Sequence, residues 1–156
     1  MSRRIKNIIA ITVFLICIGL INVAGQNIEI EIRGMNAFTF ILIIAVLLQV
    51  IFFIPSFLLK TEKYYDIVGS LTYIITISIA YFSVENKTMI DSIIYFYVMV
   101  WALRLGIYLF RRVRNDGKDV RFEKAKRHFF WFLQYWMGQA LWVSLTACAA
   151  IIAILS

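Results

Sequence analysis

The chain has 156 residues, of which 62% are hydrophobic and 16% are charged, and it contains one proline. Its mean hydropathy of +0.83 lies far above that of soluble domains, so the composition excludes a soluble globular protein and indicates an integral membrane protein. Crossing about 30 Å of hydrocarbon takes about 20 helical residues, so four or five crossings use nearly the whole chain. We therefore predict a single transmembrane domain, residues 1–156, without a separate soluble domain.

Five apolar stretches are each long enough to cross a bilayer as a helix, in which every backbone polar group finds a partner. They are residues 8–24, 35–59, 66–84, 90–110 and 129–155. The predicted fold class is all-α, a polytopic membrane helix bundle of about five transmembrane helices. Residues 111–128 are strongly basic and are predicted to form a loop. The segment NIEIEIR, residues 27–33, alternates like a strand, but between two spans we predict a loop.

The basic residues lie almost entirely on one side of the predicted membrane. All but three of the 16 Lys and Arg residues belong to the amino terminus, to residues 60–63 or to residues 111–128. The positive-inside rule therefore predicts a cytoplasmic amino terminus. The net charge of +7 is then explained by topology and by attraction to anionic lipid headgroups, without nucleic acid as a partner. The first stretch resembles a signal peptide, but its apolar run is long, which favours an uncleaved first helix.

Arg104 is the one basic residue inside a predicted span. A charge at mid-membrane costs about 2.5 to 3.5 kcal/mol on insertion scales and usually marks function. At 100° per residue Arg104 shares a helix face with Tyr97, Trp101, Tyr108 and Arg111. This aromatic and cationic stripe suits a flat anionic ligand that enters from the cytoplasm. The alternative is that Arg104 snorkels to the headgroups while the rings form an interfacial belt.

Asp66, Ser70 and Tyr73 share one face at the start of the third span, at positions i, i+4 and i+7. The depth of Asp66 approaches that of Arg104 on the antiparallel neighbour, so an ion pair between the two is available. Equally, Asp66 could cap the helix start and complement its dipole. On the fifth span, a polar and aromatic face contains Trp131, Tyr135, Gln139, Trp142 and Thr146.

The sequence lacks the common motifs of hydrolytic, phosphate-binding and metal chemistry. No Gly-rich phosphate loop, H-E-x-x-H motif or paired metal-ligand spacing occurs, so no metal site is predicted. Cys17 and Cys148 lie far apart in apolar runs and are interpreted as small buried residues. His128 lies in the basic segment, where a solvated side chain is the default.

Three segments together resemble a known family. They are FFIPSFLLKTEKYYDIVGSLTYI (residues 52–74), WALRLGIYLFRRVRNDGKDVRFEK (residues 101–124) and FLQYWMGQALWVSL (residues 132–145). The combination resembles the amino-terminal half of bacterial membrane proteins related to steroid 5-alpha-reductases, over residues 40–150. The resemblance implies a multi-pass protein of the bacterial inner membrane that binds NADPH from the cytoplasm. It also implies reduction of a C=C bond in a lipid-like or steroid-like enone.

The resemblance also implies roles for individual residues. Arg104, Tyr108, Arg111, Arg112 and Arg114 match the helix end that faces the dinucleotide and are predicted to bind the cofactor. Trp101 falls where the steroid reductases have a tyrosine that polarises the substrate carbonyl, and a Trp N–H is a far poorer acid. Asp66 or Tyr65 is predicted to serve instead, which gives Asp66, Tyr65 and Trp101 as candidate catalytic residues.

Length separates this chain from the family pattern. Family members continue into a carboxy-terminal half, where an Arg-His-Pro-Asn-Tyr type motif forms much of the cofactor pocket. Here Arg127-His128 is followed by Phe129-Phe130 and is not that motif. We therefore expect an incomplete pocket and, as partner, a carboxy-terminal half or a second copy, besides membrane lipids and a lipid-like substrate. The alternative is a non-catalytic membrane protein whose basic loop binds anionic lipid or a partner subunit.

Overall fold

The computed structural model of the chain describes residues 2–116 and 120–156, and this part contains five long helices. They are α1 (Arg3–Val23), α2 (Ala37–Leu58), α3 (Tyr65–Ser83), α4 (Met89–Asp116) and α5 (Phe129–Leu155). Each is long and apolar enough to cross a membrane. The predicted fold class, an all-α bundle of five transmembrane helices, is confirmed, and the chain is a multi-pass integral membrane protein. We call the end where α1, α3 and α5 begin the basic end.

The fourth helix is longer than the sequence indicated. It continues past the predicted boundary at residue 110 to Asp116, so the prediction of a loop over residues 111–116 is wrong. Hydropathy marks where apolar residues stop, whereas arginine is itself a good helix former, so the helix extends beyond the hydrocarbon. Two 3-10 turns, Val120–Phe122 and Ala125–Arg127, follow in the same connection.

The connection between α1 and α2 is a minimal hairpin. Strands β1 (Glu31–Ile32) and β2 (Met35–Asn36) pair antiparallel, which corrects the prediction of a loop and agrees with the alternating sequence. Arg33 and Gly34 between them have φ of +54° and +75°. Left-handed backbone at both turn positions is what a two-residue hairpin requires.

Asn36 joins this hairpin to both neighbouring helices. Its side-chain oxygen accepts from the backbone N–H of Thr39 at 3.1 Å and caps α2. Its amide nitrogen donates to the carbonyls of Gly25 at 3.1 Å and Ile28 at 2.8 Å, just after α1. The hairpin end is therefore held by hydrogen bonds that the chain makes with itself.

The fifth helix is the centre of the bundle, packing against α1, α2 and α3, whereas α4 packs mainly on α3. The buried side of α5 includes Phe132, Trp136, Ala140, Val143 and Ala147, spaced at three or four residues. Among the described side chains of α4, only Ala102 and Asp91 are buried. One side of α4 therefore lies on the surface of the bundle.

A buried hydrogen bond fixes the pairing of α2 with α3. The side-chain amide of Gln49 donates to the hydroxyl of Thr72 at 2.8 Å, and both residues are fully buried. Thr72 in turn donates to the backbone carbonyl of Val68 at 2.7 Å. Because hydrocarbon offers polar groups no partner, this contact favours one rotation of each helix about its axis.

We expect Gly25→Ala to destabilise the protein. A Cβ at this position would overlap the ring of Phe38, which is fully buried. Overpacking of this kind costs about 1–3 kcal/mol. Gly19→Ala is the matched control, because nothing lies within 4 Å of its Cβ position. Unfolding in detergent micelles, followed by circular dichroism, measures both variants, and equal stability of the two would contradict this account of the packing.

Candidate functional site

The predicted polar face of α3 is confirmed, and it packs against α4. The carboxylate of Asp66 pairs with the guanidinium of Arg112 at 3.0 Å. A Cβ on Gly106 would come within 3.0 Å of the Ser70 side chain, so the two helices approach closely there. Further along, the rings of Tyr73 and Trp101 meet edge to face, with centroids 4.8 Å apart. The face therefore contacts α4 at three successive levels.

The predicted pairing of Asp66 with Arg104 is wrong. Arg112 is the partner because of its level along α4. Gly106 lies opposite Ser70, and Asp66 lies one turn before Ser70, so on the antiparallel α4 the position opposite Asp66 lies after Gly106, on the side of Arg112 rather than of Arg104. Arg104 lies on the far side of the helix and is exposed. Asp66 occupies the first turn of α3, where a negative charge complements the helix dipole, as the alternative predicted. The predicted capping role is wrong, because Tyr64 is the N-cap residue and no side chain caps the helix.

The aromatic and cationic stripe of α4 lies on the open surface of the bundle. We call Tyr97, Trp101, Arg104, Tyr108 and Arg111 the α4 wall. Tyr97 is 68%, Trp101 44% and Tyr108 63% exposed, and both arginines are exposed. Within the described chain, Arg104 has no ion-pair or hydrogen-bond partner. The wall thus carries charge and aromatic surface that this part of the chain leaves uncovered.

The α4 wall borders the side of the bundle on which α5 lies. Tyr73 connects the two helices, because its ring packs on Trp101 and its hydroxyl lies 2.6 Å from the hydroxyl of Thr146 on α5. Trp142, one turn before Thr146, is 64% exposed. The predicted polar and aromatic face of α5 therefore meets the wall at Tyr73. Tyr73 itself is buried, with 4% of its surface exposed.

A second cluster of side chains attaches the connection between α4 and α5 to the bundle. Glu62 and Lys126 form an ion pair at 2.7 Å, and the Glu62 side chain is 5% exposed. Phe122 is buried, with its ring centroid 4.8 Å from that of Tyr65 and 4.9 Å from that of Tyr135. We call Glu62, Tyr65, Phe122 and Lys126 the loop anchor. It fixes the two 3-10 turns, Val120–Phe122 and Ala125–Arg127, next to the start of α3, where Asp66 lies.

The predicted catalytic and cofactor residues fall into three groups. Arg104, Tyr108, Arg111 and Trp101 belong to the α4 wall. Asp66 and Arg112 pair with each other, and the Tyr65 hydroxyl donates to the backbone carbonyl of Tyr135 at 3.0 Å. The side chain of Arg114 lies outside the described part of the chain. The structure therefore brings part of the predicted cofactor set together and gives Asp66, Tyr65 and Arg112 partners within the chain.

The loop anchor was not predicted from the sequence. Glu62, Tyr65 and Phe122 lie within the segments of residues 52–74 and 101–124 that carry the family resemblance, so that resemblance was the available signal. Glu62 lies three residues before α3 begins, and nothing in the sequence pairs it with a lysine 64 positions away. Among the described residues, no group of three His, Cys, Asp or Glu side chains is arranged to hold a metal ion.

These features define a multi-pass membrane protein in which the polar face of α3 contacts α4 and, through Tyr73, α5. Residues 52–156 match a family described as Protein of unknown function (DUF1295). The match covers more than half of the chain, so the chain belongs to this family, which is steroid 5-alpha-reductase-like. Neither the curated proteins nor the solved structures include a significant match. The matched region contains the α4 wall, the contact face of α3 and the loop anchor.

Lys126→Ala should loosen the basic connection more than Lys124→Ala does. Loss of Lys126 leaves the nearly buried Glu62 without its lysine, whereas Lys124 is exposed. Removing one member of a buried pair costs about 3–5 kcal/mol, and the partial exposure of Lys126 places this pair toward the lower limit. Limited trypsin digestion of the protein in nanodiscs measures cleavage within residues 111–128. The same cleavage rate in both variants would show that the pair does not anchor the connection.

Proposed function

We propose that this chain forms part of an NADPH-dependent membrane reductase that acts on the C=C bond of a lipid-like enone. The observation that carries the proposal is the α4 wall, an uncovered stripe of aromatic rings and unpaired arginine on a helix that crosses the membrane. Membership of a steroid 5-alpha-reductase-like family supports the same reading. We further propose that the protein acts in a bacterial inner membrane, with its amino terminus in the cytoplasm.

The residues of the wall fit the chemistry of a dinucleotide. Guanidinium groups form strong hydrogen bonds with phosphate oxygens, and Arg104 and Arg111 are free of acidic partners in the described chain. Trp101 and Tyr108 offer exposed rings beside them, against which flat heterocycles stack. Arg112 is less suited to this role because Asp66 already neutralises it. The open side of the wall would be closed by a carboxy-terminal half or a second copy.

Tyr73 is the acid that we assign to the carbonyl of the substrate. A phenol is a stronger acid than an indole N–H, and the Tyr73 ring lies against Trp101, the position at which the family resemblance implies a tyrosine. Its hydroxyl has one oriented partner, the Thr146 hydroxyl at 2.6 Å. NADPH, when bound, supplies hydride to the β carbon of the enone. Tyr73 would polarise the carbonyl oxygen, with Thr146 holding the phenol in position.

NADPH binding tests the wall directly. The protein is solubilised gently from its own membranes, so that any partner is retained, and NADPH is titrated by fluorescence. Arg104→Gln should weaken binding about tenfold or more, because a charge-assisted contact with phosphate is lost. Lys63→Gln, which removes an exposed charge at the basic end of the bundle, should leave the affinity for NADPH unchanged. Absence of saturable binding, or equal affinity in the two variants, would contradict the proposal.

Replacement of Tyr73 separates binding from reduction. We expect Tyr73→Phe to retain NADPH binding while the reduction of a 4-ene-3-one lipid in proteoliposomes falls about a hundredfold or more, within the range attributed to general acid catalysis. Thr146→Val should show a smaller loss, since it removes only the partner of the phenol. Consumption of NADPH by the Tyr73→Phe variant at the wild-type rate would remove Tyr73 from the mechanism.

A further inference from the structure

A cationic cleft lies at the basic end of the bundle, where α1 and α5 begin. It has a volume of about 450 Å³. Its polar and aromatic lining includes Arg3, Arg4, Asn7, Arg127, His128 and Trp131. A second cleft of similar size shares four of these residues and adds Glu123 and Lys124. The two clefts form one concave surface in which cations outnumber anions.

Two arginines of the cleft are positioned by aromatic rings. The guanidinium of Arg3 lies 4.6 Å from the ring centroid of Trp131, and that of Arg4 lies 4.9 Å from the ring centroid of Phe130. His128 is stacked on Trp131, with centroids 6.0 Å apart. A cation above an aromatic face is oriented without using its N–H donors in an ion pair. The stacking therefore presents hydrogen-bond donors at fixed positions.

The positive charge of the cleft exceeds the charge of its one acidic lining residue, Glu123. Arg3, Arg4 and Arg127 have no carboxylate partner in residues 2–116 and 120–156. By contrast, Arg112 and Lys126 at the same end are each paired with an acidic residue. The amino terminus of α5, which has no side-chain cap, adds partial positive charge from its first backbone N–H groups. An anion is the group that would satisfy these donors.

The position of the cleft selects the kind of anion. Its aromatic floor belongs to the first turn of α5, at the start of a membrane-spanning helix, where amphipathic rings sit at the level of lipid headgroups. Ile8 and Ile9, which follow within about two turns along α1, are exposed apolar residues. The α4 wall is separated from this cleft, because α1 packs on α5 and α4 packs mainly on α3.

We propose that this cleft binds the phosphate headgroup of an anionic membrane lipid, with the acyl chains lying along α1. Arg3, Arg4 and Arg127 would contact the phosphate oxygens, and Trp131 and Phe130 would pack beneath the glycerol region. This site does not depend on the proposed reductase activity. It assigns to the amino-terminal arginines a ligand as well as a topological role.

The protein in phosphatidylcholine nanodiscs provides the test. Phosphatidylglycerol is added stepwise, and retained lipid is counted by native mass spectrometry while thermal stability is followed in parallel. The double variant Arg3→Gln/Arg4→Gln is compared with Lys60→Gln/Lys63→Gln, which removes the same charge from the same end but from residues outside the cleft. We expect the first to weaken phosphatidylglycerol binding about tenfold, and the second to change it less than about twofold.

Three outcomes would overturn the proposal. Equal losses in the two double variants would reduce the effect to general surface charge. Stabilisation of the wild-type protein by inorganic phosphate to the same extent as by phosphatidylglycerol would assign the cleft to a soluble anion. Equal retention of phosphatidylcholine and phosphatidylglycerol would show that the headgroup charge is not recognised. A variant that fails to fold is replaced by Trp131→Leu, which removes the platform of Arg3 and keeps every charge, and is expected to weaken binding as well.

Discussion

The contact between α3 and α4 through Asp66, Ser70 and Tyr73 is the interaction on which the candidate site depends. It fixes the rotation of α4, because Gly106 must face Ser70 and Arg112 must face Asp66. Once that rotation is fixed, Arg104 has to lie on the opposite side of the helix. Arg104 and Tyr108 of the α4 wall are therefore exposed because α4 turns other residues toward α3. Trp101 belongs to both surfaces, because its ring contacts Tyr73 on α3 while 44% of the residue stays exposed.

The basic residues serve different physical purposes although one rule of topology groups them. Arg112 and Lys126 neutralise carboxylates near the helix ends and hold the connection in place. Arg3 and Arg4 are stacked on aromatic rings and remain without anions. Arg104 lies within a span and is unpaired in the described chain. Of these three groups, only the amino-terminal arginines and Arg104 have donors available for a phosphate. The two proposed ligand sites lie on different sides of the bundle because these two groups do.

Polar contacts inside the bundle have a role that apolar packing does not supply. In a membrane, lipid is as apolar as a leucine side chain, so helix faces are not sorted by hydrophobicity alone. The Gln49 to Thr72 hydrogen bond and the Tyr73 to Thr146 hydrogen bond link α3 to α2 and to α5. Through these two bonds, α3 fixes the rotation of α2 and α5 relative to itself. Its polar residues are for this reason both structural and near the proposed chemistry.

The sequence by itself determined the number and approximate bounds of the spans, the shared face of Asp66, Ser70 and Tyr73, and the stripe of α4. These are local properties, since hydropathy and helical periodicity depend only on neighbouring residues. The tertiary structure alone decided that Asp66 pairs with Arg112, that Phe122 is buried and that the stripe faces outward. Each of these depends on how helices rotate and slide against one another. Arg104 and Arg112 are about two helical turns apart, so a slide of about two turns would exchange the partners without changing the pattern along either helix. Periodicity could therefore nominate Arg104 but could not choose between it and Arg112.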